Sequence, residues 1–183
     1  MLSQSRVRRF RSLPPSRSKN SLVNQHDDAS PLLDHGWPEL LQILLDSFQN
    51  RLGRELVPRS GRLHEDAKRV YKAPFVVVSH NNAADPVLTF GNLTALQLWE
   101  MTADTFRQTP SRMTAEPMHR DERARLLERT TRDGYVDDYR GIRISSTGRR
   151  FQIEEAIVWN LHDKAGEYVG QAATFDHWTF LES

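Results

Sequence analysis

The amino-acid sequence predicts an α+β fold. We expect a five-stranded antiparallel sheet with helices on one face, preceded by an amphipathic N-terminal helix. Three observations carry this prediction. A β-branched run at 75–79 and an apolar run at 87–90 indicate two short strands. Helical spacing then continues to about residue 132. After Gly134, three long strand-like stretches follow, separated by short glycine-bearing turns, as in an antiparallel meander.

The first predicted helix runs from about Pro38 to Leu52, and Gly53 is a plausible C-terminal cap. One side of it carries an apolar stripe formed by Leu41, Leu44, Leu45, Phe48 and Leu52. A stripe this wide is not tolerated in water, so it has to be buried. We predict that it forms the interface of a homodimer. The alternative is a helix that folds back on its own sheet and leaves a monomer.

The segment FGNLTALQLWEMTADTF, residues 90–106, joins the second strand to the helical block. Asn92 stands at the strand end, where its side-chain oxygen can accept from a backbone N–H two or three residues later. Ala95, Leu98, Trp99 and Thr102 then fall on one face of a helix. The segment therefore predicts a strand, an asparagine cap and a short helix with a buried face.

Another helix is predicted from about 119 to 132, with acidic residues in its first turn and arginines near its end, as the helix dipole favours. Gly134 ends it. The three strands that follow are predicted at 135–145, 149–161 and 168–175, with turns at 146–148 and 163–166. We divide the chain into a basic tail (1–31), an N-terminal helix and linker (32–70) and a sheet domain (71–183).

The composition excludes several classes of site. The 183 residues contain no cysteine, so disulfides, thiolate zinc sites, iron–sulfur clusters, thiol nucleophiles and cysteine adducts are excluded. Hydrophobic residues make up 38% of the chain and the mean hydropathy is −0.64, which allows one core. No apolar run approaches the ~20 residues of a membrane-spanning helix. We therefore expect a cytoplasmic protein without a membrane partner.

The charge is distributed unevenly. Residues 1–30 carry six basic and two acidic residues, a net +4, whereas residues 31–183 carry 19 basic and 22 acidic residues, a net −3. The mildly acidic remainder argues against a nucleic-acid partner. For the basic tail we favour a disordered extension or an upstream start codon in the gene model. An organelle transit peptide or a nucleic-acid arm is the alternative.

Four stretches resemble the MEKHLA domain, a PAS-related module of bacterial single-domain proteins and plant class III homeodomain-leucine-zipper regulators. They are SRMTAEP (111–117), DERARLL (121–127), GYVDDYRGIRISSTGRRFQIEEAIVWNL (134–161) and GQAATFDHW (170–178). The resemblance covers roughly residues 33–181. It implies a PAS-like five-stranded sheet with helices on one face, and a sensory or regulatory role. It implies neither a known reaction nor an established ligand, and the homeodomain and zipper are missing here.

In PAS-like folds a ligand lies between the sheet and the helical block. The residues expected to line that space are Asn92, Trp99, Met113, Tyr139, Arg143, Glu155, Trp159 and Gln171. Strict alternation puts Glu155 on the apolar face that ends in Trp159 and Leu161. There it would bind a ligand or pair with Arg143, but a bulge that turns it outward, or a structural ion pair, is the reading we favour.

Gln171 follows Gly170 in the last predicted strand. In flavin-binding PAS relatives a glutamine on the last strand contacts the isoalloxazine ring. Since the adduct-forming cysteine is absent, we expect a structural hydrogen bond across the sheet. We expect no flavin adduct and no haem. His119 opens the predicted helix at 119–132 at an exposed position, and no His-x-x-x-His or HExxH spacing supports a metal site.

No catalytic residues are predicted. Asp137-Asp138 and Glu154-Glu155 point to opposite faces of their strands, so neither pair can act together. We expect a non-enzymatic sensory or regulatory module that binds a small ligand or a regulatory protein. One alternative is a small α+β enzyme that uses a buried acid such as Glu155 or Asp137. Another is a ligand-free dimerisation scaffold, because five large residues could fill the core: Trp99, Phe106, Tyr139, Trp159 and Phe175.

Overall fold

The computed structural model describes residues 37–115 and 120–182, and the predicted basic tail lies outside this part. Its helices are α1 (Trp37–Leu52), α2 (Leu63–Tyr71), α3 (Leu93–Trp99), α4 (Ala103–Phe106) and α5 (Arg120–Asp133), with a 3₁₀ turn at Ser111–Thr114. Its strands are β1 (Val76–Asn81), β2 (Leu88–Gly91), β3 (Tyr135–Ile144), β4 (Arg150–His162), β5 (Tyr168–Phe175) and β6 (His177–Phe180). The predicted elements occur in the predicted order, but the segment predicted as a linker after α1 also forms a helix, α2.

The strands form one antiparallel sheet in the order β2-β1-β5-β4-β3. The difference from the predicted five strands is β6, which pairs with β4 beyond the end of β5. Together, β5 and β6 lie along the same edge of β4, and the break between them is at Asp176. Opposite this break, Glu155 has a φ of +52°. A non-glycine residue rarely adopts this conformation, and here it marks a bulge in β4.

The two faces of the sheet are covered by different helices. Phe90 in β2 contacts the ring of Trp37 in α1, with centroids 4.9 Å apart. The next residue, Gly91, faces Phe106 of α4 instead. Since neighbouring strand residues project to opposite sides, α1 and α4 lie on opposite faces. We call the face toward α3, α4 and α5 the inner face, and the face toward α1 the outer face.

Helix α1 buries its apolar stripe against its own chain. Leu41, Leu44, Leu45 and Phe48 are buried, Leu52 is half-buried, and Phe48 meets Trp159 of β4 edge-on at 4.9 Å. Our expectation that the stripe must be buried holds, but its partner is the outer face of the same sheet. These five residues are therefore not free to form the dimer interface we predicted. Formation of a homodimer through another surface stays a prediction.

The turn between β3 and β4 is fastened to the end of α3. Glu100 ends that helix in a left-handed conformation (φ +56°), and its carboxylate accepts from the hydroxyls of Ser145, at 2.6 Å, and Thr147. Arg149 adds an ion pair at 3.6 Å. The two hydroxyl bonds, with Arg149, lower the pKa of Glu100. This contact holds one end of the inner face against the helical block.

No helix in the described ranges is long and apolar enough to cross a membrane.

Candidate functional site

Three polar side chains form a continuous row across the inner face. They are His80 in β1, Gln171 in β5 and Asn160 in β4, and the strand register sets each beside the next. Gln171 lies four residues before Phe175, whose ring contacts Trp99 of α3, so both project on the inner side. We call His80, Gln171 and Asn160 the polar row.

Hydrogen bonds connect the polar row to helix α5. Gln171 donates from Nε2 to Asn160 Oδ1 at 3.2 Å, and Asn160 donates from Nδ2 to the Thr130 carbonyl at 3.4 Å. His80 also bonds with the Gln171 side chain, and its Nδ1 lies 2.8 Å from the Asn81 carbonyl oxygen. The row thus joins three strands to the last turns of α5, and it confirms the structural hydrogen bond expected of Gln171.

Beside the row lies a cavity of about 410 Å³. It is bounded by the end of α1, the end of α5 and the neighbouring ends of β4 and β5, and its lining residues are Arg51, Thr130, Gly134, Asn160, His162, Tyr168 and Gln171. Most of these offer a hydrogen-bond donor or acceptor, and the Tyr168 and His162 rings meet edge-on at 6.1 Å. We take this cavity and the polar row as the candidate site.

Aromatic packing fills the opposite part of the inner face. Trp99 is buried and makes edge contacts with Phe106, Phe151 and Phe175, at centroid distances of 6.1, 5.2 and 6.3 Å. Its indole N–H has no hydrogen-bond partner among the described residues. Trp99 therefore acts as a core residue in this structure, and space for a ligand lies at the polar end.

The side-chain amide of Asn92 is hydrogen-bonded to the backbone around it. Its Oδ1 accepts from the N–H groups of Val77 (3.0 Å) and Ala95 (3.1 Å), and its Nδ2 donates to the Phe75 carbonyl at 2.7 Å. The side chain is completely buried. The predicted N-cap is confirmed, whereas the predicted ligand contact would compete with these bonds. Asn92 joins β1, β2 and α3 and does not line the cavity.

The bulge at Glu155 corrects the predicted inner face of β4. Phe151 contacts Trp99 on the inner side, while Trp159 contacts Phe48 on the outer side, although an uninterrupted strand would place both on one face. The extra residue at the bulge reverses the alternation. Glu155 itself is exposed, so the bulge reading is confirmed and the buried carboxylate is not found. Trp159 lies on the outer face and does not line the candidate cavity.

The remaining predicted residues lie away from the polar row. Arg143 donates to the Tyr139 hydroxyl at 3.2 Å and stacks over that ring at 5.4 Å, so it pairs with Tyr139 and not with Glu155. Both lie on β3 and are half-buried. Met113 is 61% exposed on the 3₁₀ turn. His119 lies outside the described residues. Of the eight predicted ligand contacts, only Gln171 lines the candidate cavity.

Asn160, His80, Thr130 and Arg51 were missed by reasoning from sequence. For Asn160 the signal is available in hindsight, because a bulge at Glu155 moves Ala156, Val158 and Asn160 to the inner face. Arg51 looks like a solvated residue at a helix end, and nothing in the local sequence connects it to β5. Within the described ranges, no group of three or more histidine, aspartate or glutamate side chains could hold a metal ion.

His80 makes the stability of the fold sensitive to pH. Burial lowers its pKa below the usual 6.5, outweighing the hydrogen bonds to Asn81 and Gln171 that favour the charged form. The unfolded chain therefore binds more protons than the folded one just below pH 6.5, and stability falls as the pH falls through this window. A His80→Gln variant should show a smaller loss between pH 7 and 5, by a fraction of the ~1.4 kcal/mol per pH unit that one proton contributes. Urea unfolding at several pH values measures this, and equal slopes would contradict it.

The comparisons with known proteins agree with this architecture. The model of the MEKHLA domain matches residues 38–180. The chain belongs to the MEKHLA domain family. No curated protein matches it. MEKHLA membership indicates a sensory or regulatory module.

Solved structures with similar folds include PAS and light-oxygen-voltage proteins. A PAS domain from Colwellia psychrerythraea aligns with a TM-score of 0.53 and 12% identity, over 65% of this chain and 96% of that one. The light-state dimer of the fungal blue-light photoreceptor Vivid aligns with a TM-score of 0.51 and 12% identity, over 74% and 92%. An RNA-binding light-oxygen-voltage receptor gives 0.53 and 16%, over 65% of this chain and 34% of that one. At these identities the likeness shows the fold alone.

Proposed function

We propose that this MEKHLA protein is a non-enzymatic sensory or regulatory module that binds a small molecule in the cavity beside the polar row. The observation that carries the proposal is the opening of Asn160 and Gln171 into a cavity of about 410 Å³. This volume falls within the ~300–1,000 Å³ of small-molecule sites, which typically combine apolar walls with a few positioned polar groups. Binding there would act directly on contacts between the sheet and α5.

Occupancy of the cavity would be transmitted through Asn160. Its amide connects Gln171 of β5 with the Thr130 carbonyl in α5. A ligand that takes over a hydrogen bond of Gln171 or Asn160 would change the hydrogen bond that Asn160 donates to the Thr130 carbonyl. The end of α5 and the start of β3 are consequently the segments we expect to respond, and their movement would be the output of the sensor.

The enzyme alternative has less support. It required a buried acid, yet Glu155 is turned outward at the bulge and Asp137 is exposed on β3. The described lining of the cavity contains no carboxylate. General acid–base chemistry needs a positioned group within hydrogen-bond reach of the substrate. In the described lining only His162 and Tyr168 could serve as an acid or a base, and no carboxylate there orients either of them.

The second candidate function is a ligand-free scaffold that acts by binding another protein. The aromatic packing around Trp99 favours it, because Phe106, Phe151 and Phe175 leave no need for a ligand in that half of the inner face. If the protein is such a scaffold, the cavity is a water-filled depression of the surface that binds no ligand. Homodimer formation through a surface other than the α1 stripe is part of either proposal.

Native mass spectrometry of freshly purified protein, before and after incubation with a small-molecule extract of the expression host, tests the proposal. We expect the wild type to carry an additional small mass and the Gln171→Met variant to lose it. Gln152→Met is the matched control, because Gln152 is also a half-buried glutamine of the sheet but lies outside the cavity. A wild type that stays free of added mass would favour the scaffold. Equal loss in both variants would place the ligand elsewhere.

A further inference from the structure

The candidate cavity has a one-sided charge. Arg51 is the only arginine or lysine among its described lining residues, and no aspartate or glutamate stands beside it there. The other polar groups are amides, a hydroxyl, a phenol and an imidazole. A lining with one permanent cation and no carboxylate favours an anionic ligand over a neutral or cationic one.

The absence of a side chain at Gly134 leaves the space that the end of Arg51 occupies beside the cavity. Gly134 has a φ of +78°, and a Cβ there would lie 2.8, 2.9 and 3.0 Å from Arg51 Cδ, Nε and Cζ. The end of the arginine therefore lies directly on the Gly134 backbone, where the chain passes from α5 to β3. This close approach brings a residue of α1, on the outer face, to a cavity that the inner-face residues Asn160 and Gln171 also line.

The guanidinium of Arg51 makes no ion pair with any residue that the structure describes. Seven other arginines do pair with carboxylates, namely Arg59, Arg69, Arg107, Arg112, Arg129, Arg132 and Arg149. Of the acidic residues nearest to Arg51 in sequence, Asp46 pairs with Arg59 at 2.5 Å, and Glu55 accepts from the Arg59 backbone N–H at 3.1 Å. Neither lines the cavity. The planar donor fork of Arg51 is thus available to a ligand.

We propose that the cavity binds a small organic carboxylate, with Arg51 holding the carboxylate group and Gln171, Asn160 and Tyr168 in reach of the rest of the molecule. The inference rests on the proposed function and specifies its ligand class. A guanidinium matches the two oxygens of a carboxylate in a bidentate contact. One cation in the described lining suits a carboxylate better than a phosphate dianion.

The alternative is that Arg51 serves only the end of α1. It stands in the last turn of that helix, where a basic residue favours the helix dipole without any ligand. Arg54 provides the matched control, because it is an exposed arginine three residues away, stacked over Phe48 at 5.5 Å and absent from the cavity lining. Removing its charge changes the same region of the surface without touching the cavity.

The test is isothermal titration with acetate, succinate, citrate and benzoate, compared with acetamide, succinamide, citramide, benzamide and inorganic phosphate. We expect at least one carboxylate to bind. Its amide should bind at least about ten-fold more weakly, because the charge-assisted contact is lost. Arg51→Gln should weaken that binding about ten-fold or more. Arg51→Lys should fall between, and Arg54→Gln should stay within about two-fold of the wild type. Circular dichroism confirms that each variant is folded.

Failure of this inference differs from failure of the proposed function. An amide that binds as tightly as its acid, binding unaffected by Arg51→Gln, or a preference for phosphate would overturn the carboxylate assignment. The proposed function would still stand in each case if Gln171→Met, and not Gln152→Met, removed the added mass. If no probe binds while the native spectrum shows an added mass, the ligand class is wrong and the function stands. If no probe binds and no mass is added, both are overturned.

Discussion

Replacing Phe48 with alanine should lower the free energy of unfolding by about 3–5 kcal/mol, the range for removing a buried aromatic ring from a core. Phe48 is 1% exposed in α1 and meets Trp159 edge-on at 4.9 Å. Its loss leaves a cavity between the helix and the outer face, along with the lost aromatic contact. The mass in solution should not change, because the residue is buried within one chain. Urea unfolding and sedimentation equilibrium measure the two quantities.

Gln49→Ala is the control for this substitution. Gln49 is the next residue of α1 and is exposed, so its replacement should change the stability by less than about 0.5 kcal/mol. The prediction would be contradicted if the wild type were a dimer and Phe48→Ala made it a monomer without lowering its stability. That outcome would restore the stripe of α1 as a surface between two copies, as the amphipathic pattern alone suggested.

Replacing Asn92 with alanine should cost about 3–7 kcal/mol, because a helix cap and the partners of two buried backbone groups are lost together. The loss of a helix N-cap alone costs ~1 kcal/mol. At Asn92 the Val77 N–H and the Phe75 carbonyl also lose their partner in a buried setting, and each unsatisfied group costs about 1–3 kcal/mol. Strand β1, strand β2 and α3 all meet at this side chain, so thermal unfolding should shift strongly downward.

Two matched variants separate the roles of Asn92. Thr102→Ala removes the exposed cap of α4, which accepts from Thr105 N–H at 3.2 Å, and should cost only ~1 kcal/mol. Asn92→Asp keeps an acceptor for Val77 and Ala95 but sets a carboxylate against the Phe75 carbonyl, so it should also be destabilising. If Asn92→Ala costs no more than Thr102→Ala, the buried network is not holding the strands to the helix.

Local signals were sufficient for most elements. The spacing of apolar residues in α1, the side-chain cap at Asn92 and the positive φ of Gly134 are each decided by a few neighbouring residues. The meander was readable for the same reason, since short glycine-bearing turns join strands that must pair with their neighbours. These features fold as predicted, as does the antiparallel sheet with its block of helices.

The candidate site was only partly readable, because it depends on which strand positions meet. Gln171 was predicted near a ligand, and it does line the cavity. Strict alternation from Glu155 to Trp159 places its partner Asn160 on the other face of the strand, because it ignores the bulge at Glu155. Arg51 lies in α1, more than 80 residues before Gly134 in the chain. Its place beside Gly134 is a consequence of how α1 crosses the sheet.

The sequence by itself determined most of the helices and strands, their order and the need to bury the stripe of α1, because propensity, periodicity and caps act within a few residues; it did not reveal α2 or β6. Tertiary structure decided which surface buries that stripe and which face each half of β4 presents. A buried stripe is satisfied equally well by a sheet of its own chain or by a second copy. The left-handed conformation of Glu155 is set where β5 gives way to β6 along β4, a long-range pairing that no local pattern encodes.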